Sequence, residues 1–384
     1  MKQFNYPTTV YYGPGSLQAM AKSIAKFNLK KLLLVSDPTL LKLGLVKQVA
    51  DICAAEGIKT VAFCDVHPNP IEEDVLNGIK IYKKENCDGF IALGGGSPMD
   101  AAKGIMILVD HSEPLAQYDD TKGGDRLITK DLPPLFAIAT TAGTGSEVGR
   151  SSVIIIKATN DKTILFHPTM MPKIAVLEPA LTTSLPQSIT VATGLDAFTH
   201  NLEAFLAPGF HPMADGIALQ GIELILENLP IVYKAGDNLE ARGKMLMAST
   251  MGATAFQKGL GMIHSMAHPL SSECGLHHGL ANALALPSCL EFIEKADLSQ
   301  QQRARLDKVQ QLFKERGLAK TSLSQTCTAF FKELGLVFGL KNHGVKKEQL
   351  MTLSHKAFLD PCHANNIIPV TEKDFKEVFE KAYG

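Results

Sequence analysis

Up to about residue 180, short apolar and β-branched runs alternate with stretches of helical spacing. KKLLLVSD (30–37), TVAFCDV (60–66), GFIALGGG (89–96) and LFAIATT (135–141) are continuous enough to be strands covered on both faces, as in a parallel sheet. LVKQVADICAAEG (45–57) and VLNGIKIYKKEN (75–86) lie between them with helical spacing, and SSVIIIKA (151–158) and KIAVLEP (173–179) add two strand-like runs. Strand and helix alternating at this pitch predict a wound α/β sheet. Beyond residue 180 the strands stop. GIALQGIELILENL (216–229), QRARLDKVQQLFKERG (302–317) and TEKDFKEVFEKAY (371–383) carry period-3.6 apolar spacing. In the second of these Leu306, Val309 and Phe313 form one stripe, and Gly317 is placed to end the helix. The chain thus divides into an α/β domain over 1–182 and an all-helical domain over 183–384. The join, EPALTTSLPQS, is short and not Gly/Ser-rich, so the halves are expected to pack together with a cleft between them. No internal repeat or low-complexity segment interrupts this plan.

Composition narrows the class. The 384 residues hold 45% apolar and 20% charged side chains, the balance of a globular protein. A formal net charge of -1, with Lys and Arg spread along the chain, gives no field to hold nucleic acid or an anionic membrane. No apolar run approaches the ~20 residues needed to cross a bilayer, and MKQFNYPTTVYYG lacks the apolar centre of a signal peptide. Seven scattered cysteines without a CxxC pair suit reduced thiols, and hence a cytoplasmic protein.

Two glycine-rich stretches carry the first chemistry. GFIALGGGSPMDAAKGI (89–105) reads as a buried strand, three glycines and a helix start, with Ser97 as N-cap, Pro98 at the first helical position and Asp100 completing a capping box. Free amides at such a helix start favour a phosphate. LFAIATTAGTGSEVG (135–149) is again a strand running into small residues, with Thr140, Thr141, Thr144 and Ser146 offering hydroxyls. Two such loops at the carboxyl ends of strands would line one crevice, the place where these sheets bind ligands, although GGGSPM is not the GxGxxG dinucleotide fingerprint. Asp37 ends a third strand; its carboxylate could accept from both ribose hydroxyls of an adenosine and would repel a 2′-phosphate.

Histidines carry the second. GMIHSMAHPLSSECGLHHG (261–279) holds four of the twelve histidines, and no Lys or Arg occurs from Gly261 to Leu290. His264 and His268 are four apart, as are Asp196 and His200 in GLDAFTHNLEAF (194–205), so each pair shares a helix face. Together with His277 and His278, these residues offer neutral imidazoles and one carboxylate, a donor set suited to Zn²⁺ or Fe²⁺. The spacing leaves open which histidines bind.

The strings GGGSPMDAAK, TTAGTGSEV, GLDAFTH, HSMAHPL and HHGLANA, in that order, resemble the iron-containing (group III) alcohol dehydrogenase family over nearly the whole chain. The resemblance implies an N-terminal dinucleotide-binding domain with a parallel, Rossmann-like sheet, an all-α C-terminal metal-binding domain (the dehydroquinate synthase-like fold) and hydride transfer in the cleft. It implies Asp196, His200, His264 and His278 as ligands to Fe²⁺, with Zn²⁺ as the other candidate. His268 matches a family histidine near the metal that is not a ligand; with His277 it is a candidate to carry the released proton. NAD contacts fall on Asp37, Asn69, Gly95, Gly96, Ser97, Thr140, Thr141, Thr144, Val153, Lys162 and Leu181.

The implied activity is reversible hydride transfer between a small alcohol and its aldehyde or ketone, with the metal as Lewis acid and hydride carried by the nicotinamide. A homodimer or higher homo-oligomer is what the family suggests. The chain departs from the family's pattern at Gly149, where threonine is common, at Asn366-Ile367 in place of Asn-Pro, and at the extra imidazole of His277. Rival readings are a glycerol dehydrogenase-like polyol oxidoreductase, a dehydroquinate synthase, a metal-dependent hydrolase and a non-catalytic nucleotide-binding protein. The synthase would need cations that 191–206 and 261–290 lack. The hydrolase has no use for the glycine loops, and a bare nucleotide binder leaves the histidines unexplained.

Overall fold

A computed structural model of the chain describes residue 6 and residues 8–159 and 162–384; residues 1–5, part of the stretch read for a signal peptide, lie outside the described residues. The chain forms two compact units that meet in sequence between Ser184 and Leu185.

The first unit is built on β1 (Thr9–Tyr12), α1 (Ser16–Ile24), β2 (Lys31–Val35), α2 (Pro38–Lys42), α3 (Leu45–Ala55), β3 (Lys59–Phe63), α4 (Glu72–Glu85), β4 (Gly89–Gly94), α5 (Gly96–Asp110), β5 (Leu135–Ala139), β6 (Ser151–Ile155), β7 (Lys162–Phe166) and β8 (Ile174–Leu177). Six strands form one parallel sheet in the order β1-β8-β5-β4-β2-β3. Every residue of β4, β5 and β8 is buried, because helices cover both faces; that is why these strands read as unbroken apolar runs. On one face Leu32, Leu34, Ile91, Leu93, Phe136 and Ile138 pack with Leu17 and Met20 of α1 and Val49 and Cys53 of α3.

Three strands depart from the sequence reading: β6 by its partner, and β1 and β7 because they were not read as strands. SSVIIIKA does not join the parallel sheet: β6 pairs antiparallel with β7, Ser151 opposite Phe166 and Ile155 opposite Lys162. Its burial alternates, with Ser152 and Ile154 inward, as expected of a strand covered on one face only. The edge strand β1 was missed because its TVYY is only half buried and shows no continuous apolar run.

The second unit is all helical: α6 (Gln187–Leu206), α7 (Pro212–Lys234), α8 (Leu239–Ala255), α9 (Met262–Cys274), α10 (His278–Lys295), α11 (Gln300–Glu315), α12 (Leu323–Glu333), α13 (Leu350–Leu359) and α14 (Glu372–Tyr383). The stripe expected on α11 is buried as Leu306, Val309 and Phe313, and Gly317 takes a φ of 70° just past its end. At the centre lies α6, buried at every position from Thr190 to Leu206 and packed by α7, α8 and α10. A helix buried all round is normally apolar all round. This one buries Asp196, His200, Asn201 and Glu203, which must find polar partners. Among the described residues, no helix is long and apolar enough to cross a membrane.

Candidate active site

Because the six strands are parallel, their carboxyl ends share one edge of the sheet. Along that edge, in spatial order, Leu181 follows β8, Thr140, Thr141 and Thr144 follow β5, Gly95, Gly96 and Ser97 follow β4, Asp37 follows β2 and Asn69 follows β3. The two glycine loops touch. A Cβ on Gly95 would stand 3.0 Å from the Thr141 hydroxyl, and one on Gly96 would stand 3.1 Å from Thr144 Cγ2. Val153 and Lys162 sit on the β6–β7 hairpin. Leu181 differs in kind, since its side chain is buried in the apolar core.

The helix start after β4 differs from the expected capping box. Gly95 is the cap, without a side-chain bond, and Ser97 lies inside the first turn, donating its hydroxyl to Pro68 O. Asp100 turns away from the helix start. Its carboxylate accepts from Ser146 Oγ at 3.0 Å and from Val153 N at 3.1 Å. The first amides of α5 are therefore uncapped by any side chain, which leaves them for an anion. Beneath them the fully buried Lys103 donates to Ser146 O and Oγ, both at 2.8 Å, and to Ser151 O at 3.0 Å. Burial pushes its ammonium down to about 8, against the charges of Asp100 and Glu147. This hub ties α5, the second glycine loop and the hairpin together. Asp37 serves as N-cap of α2; its Oδ1 accepts from Thr39 N at 2.8 Å and Leu40 N at 3.0 Å, and Oδ2 has no partner among the described residues.

In the second unit Asp196, His200, His264 and His278 converge, one ligand atom of each lying within 4.8 Å of all the others. Asp196 and His200 come from consecutive turns of α6, His264 from the first turn of α9 and His278 from the first residue of α10. The His200 and His264 rings stack at 4.7 Å. His278 Nε2 stands 3.6 Å from Asp196 Oδ1. Burial drives the His264 and His278 imidazoles well below their usual range, so both are neutral. Burial would raise Asp196, but the His200, His278 and His264 rings and the Asn282 amide outweigh it and hold the carboxyl low, hence ionised.

A metal ion fits this set. The Asn282 amide nitrogen lies 2.8 Å from Asp196 Oδ1 and 3.3 Å from both His264 Nε2 and His278 Nε2. Two N–H groups face three acceptors, so the pocket is short of positive charge. Three imidazoles and one carboxylate are the donor chemistry of Fe²⁺ and Zn²⁺. The cluster is closed at His264, whose side chain is 1% exposed, and open at His278, 28% exposed.

Residues 7–179 match the profile of the iron-containing alcohol dehydrogenases, and residues 190–383 match that of the C-terminal part of the Fe-containing alcohol dehydrogenase family. The 4-hydroxybutyrate dehydrogenase of Cupriavidus necator is 36% identical over 98% of both chains. The NAD-dependent methanol dehydrogenase of Bacillus methanolicus is 31% identical over the full length of both. A crystal structure of a 1,3-propanediol oxidoreductase superposes with a TM-score of 0.91, at 31% identity, over 99% of this chain and 100% of the other. The chain belongs to the iron-containing alcohol dehydrogenase family. It is a metal-dependent oxidoreductase that moves hydride reversibly between an alcohol and its aldehyde or ketone.

Around the donor atoms of this alcohol dehydrogenase the structure adds supports that the motifs do not spell out. His268 is outside the four-residue set; its ring stacks on His278 at 5.4 Å, and its Nδ1 is 2.7 Å from Asp360 Oδ2. Asp360 also accepts from Ser265 Oγ and Cys362 N, both at 2.9 Å. Burial would raise its carboxyl, but the bond and charge of His268 with these donors hold it far below the usual range. His277 occupies the N-cap position of α10 with its side chain exposed, apart from the donor cluster. Asn366 Oδ1 accepts from Met262 N at 3.3 Å, so the unusual Asn366-Ile367 pair still serves the start of α9. Gly149 lies where a Cβ would be 3.5 Å from Lys103 Nζ, beside the buried hub.

Glu203, Asn282 and Asp360 were missed by motif reading. The first two had a signal: Glu203 extends the Asp196–His200 face by one more turn, and Asn282 lies four residues past His278. Asp360 had none, because its partner is 92 residues away.

Proposed function

We propose that this alcohol dehydrogenase takes NAD(H) on residues 1–182, holds Fe²⁺ on Asp196, His200, His264 and His278 of residues 183–384, and interconverts short primary alcohols and aldehydes. The convergence of four donor atoms around an electron-rich, partly open pocket carries the reading. When bound, the metal supplies Lewis-acid polarisation of an alcohol or carbonyl oxygen, and the nicotinamide supplies hydride transfer.

The chain's own residues do the rest. The uncapped amides at Gly95, Gly96 and Ser97 hold the pyrophosphate, with Thr140, Thr141 and Thr144 on the facing loop. Asp37 accepts from the ribose through Oδ2, Asn69 and Leu181 flank the edge at its two sides, and Val153 and Lys162 approach from the hairpin. NAD is the cofactor, in keeping with the carboxylate at Asp37, which repels a 2′-phosphate. Asp360 keeps His268 turned towards His278, where its ring can pass a proton between substrate and solvent; His277 is the outer candidate for the same task. The reading extends to a cytoplasmic homodimer or larger homo-oligomer. It is supported by seven unpaired cysteines, which suit a reducing compartment, and by Met351 and Leu359, left exposed on α13.

A spectrophotometric NADH assay over acetaldehyde, propanal, 3-hydroxypropanal and succinic semialdehyde tests the substrate class. The uncharged aldehydes are expected to give the higher kcat/KM, since no Lys or Arg lies between Gly261 and Leu290. Preference for succinic semialdehyde would move the substrate to the hydroxy acid named for the Cupriavidus necator relative. No oxidation of NADH with any member would contradict the reading.

A further inference from the structure

Glu203 is 3% exposed and belongs to none of the motifs that define the family resemblance. From α6 its carboxylate reaches the start of α9. It accepts from Ile263 N at 2.8 Å and His264 N at 3.4 Å, and the Gly261 amide donates to it as well. Those bonds cap a helix whose own N-cap residue, Gly261, has no side chain to do so. Capping would require no more. Yet the same carboxylate also meets His264 Nδ1, at 2.5 Å. The opposite ring nitrogen, Nε2, is the atom that faces Asn282, whose amide nitrogen also reaches Asp196 Oδ1 and His278 Nε2.

An imidazole with no partner on Nδ1 can carry its proton on either nitrogen and can turn its ring. A carboxylate on Nδ1 settles both, leaving Nε2 unprotonated and aimed. We infer that Glu203 is a positioning residue for the metal: it holds His264 as the Nδ1–H tautomer, with Nε2 presented to the ion, and thereby sets metal affinity. The inference rests on the reading of His264 as a ligand. It also gives the α6 face a single logic, since Asp196 and His200 supply donors and Glu203, one turn on, prepares a third donor on the neighbouring helix.

The test uses chelator-stripped full-length protein and Co²⁺, whose d–d absorption reports its coordination. Glu203→Gln keeps the size and removes the charge. Its apo melting temperature reads the loss of the cap. Its Co²⁺ dissociation constant, obtained by chelator competition, reads the positioning and is expected to rise roughly 10–100-fold with a shifted d–d band. An affinity within twofold of the parent protein would overturn the inference. His264→Ala runs beside it: if that variant binds Co²⁺ as the parent does, the ligand reading fails, whereas an unchanged Glu203→Gln beside a metal-free His264→Ala defeats the role of Glu203 alone. Should Glu203→Gln fold poorly, ¹⁵N ring shifts of the unaltered, Zn²⁺-loaded protein decide instead. A His264 with Nδ1 protonated and Nε2 on the metal supports the inference; the reverse assignment overturns it.

Discussion

Burial keeps the His264 and His278 imidazoles uncharged while Asp196 stays ionised, so at neutral pH these three donors need lose no proton before an ion enters. The two adjacent histidines at 277 and 278 separate on this account. His278 begins α10 with its ring among the donors, whereas His277 lies one residue outside with an exposed side chain. His278→Ala is expected to purify with little metal and little activity, and His277→Ala to keep its metal while altering KM or the pH profile. Metal analysis of both variants checks this; the opposite pattern would mean that the family register is displaced by one residue. Asp37 caps α2 through one oxygen, and in the proposed function the other accepts from the ribose. Serine caps helices nearly as well as aspartate, so Asp37→Ser should melt close to the parent protein. Its NADPH-to-NADH efficiency ratio should rise about 5–150-fold, the equivalent of ~1–3 kcal/mol of relieved charge repulsion. A ratio that does not move would remove Asp37 from the ribose site.

At the scale of elements, the metal site depends on how closely helices approach α6. Gly279, just after His278, is among the tightest contacts: a Cβ there would stand 2.1 Å from Ala192 O and 3.0 Å from Asp196 Cβ. Gly279→Ala must push α10 off α6. It is expected to cost roughly 1–3 kcal/mol and to lower metal content as His278 is displaced, read by apo melting temperature and metal analysis. Normal metal content in a well-folded variant would show that the site tolerates movement of α10. Much of this arrangement was legible beforehand. The two His-containing pairs, the strand-to-glycine transitions and the switch from strand to helix are local patterns. What stayed hidden is non-local. The SSVIIIKA run could not announce that its partner is a hairpin strand rather than the parallel sheet. Asp100 sat where a capping box would put it, but the buried Lys103–Ser146 hub lay just beneath, and its bonds formed there instead.

On the scale of the whole molecule, the proposed function divides the chemistry between two compact units, the dinucleotide on the first and the metal on the second. In the proposed function five strand ends of the parallel sheet face a dinucleotide. The helical unit buries a carboxylate and imidazoles that carry an energetic cost until a cation arrives. Metal should therefore stabilise the fold as well as activate it, by about 2.7 kcal/mol at a free concentration 100 times the dissociation constant. The most direct measurement is an anaerobic titration of chelator-stripped protein with Fe²⁺, following bound iron and alcohol-dependent NADH formation in the same samples. Activity is predicted to rise in proportion to bound iron, to level off at about one ion per chain, the single four-donor site of this account, and to decay in air. Full activity in the stripped protein, or iron that binds without any gain in NADH formation, would contradict the account.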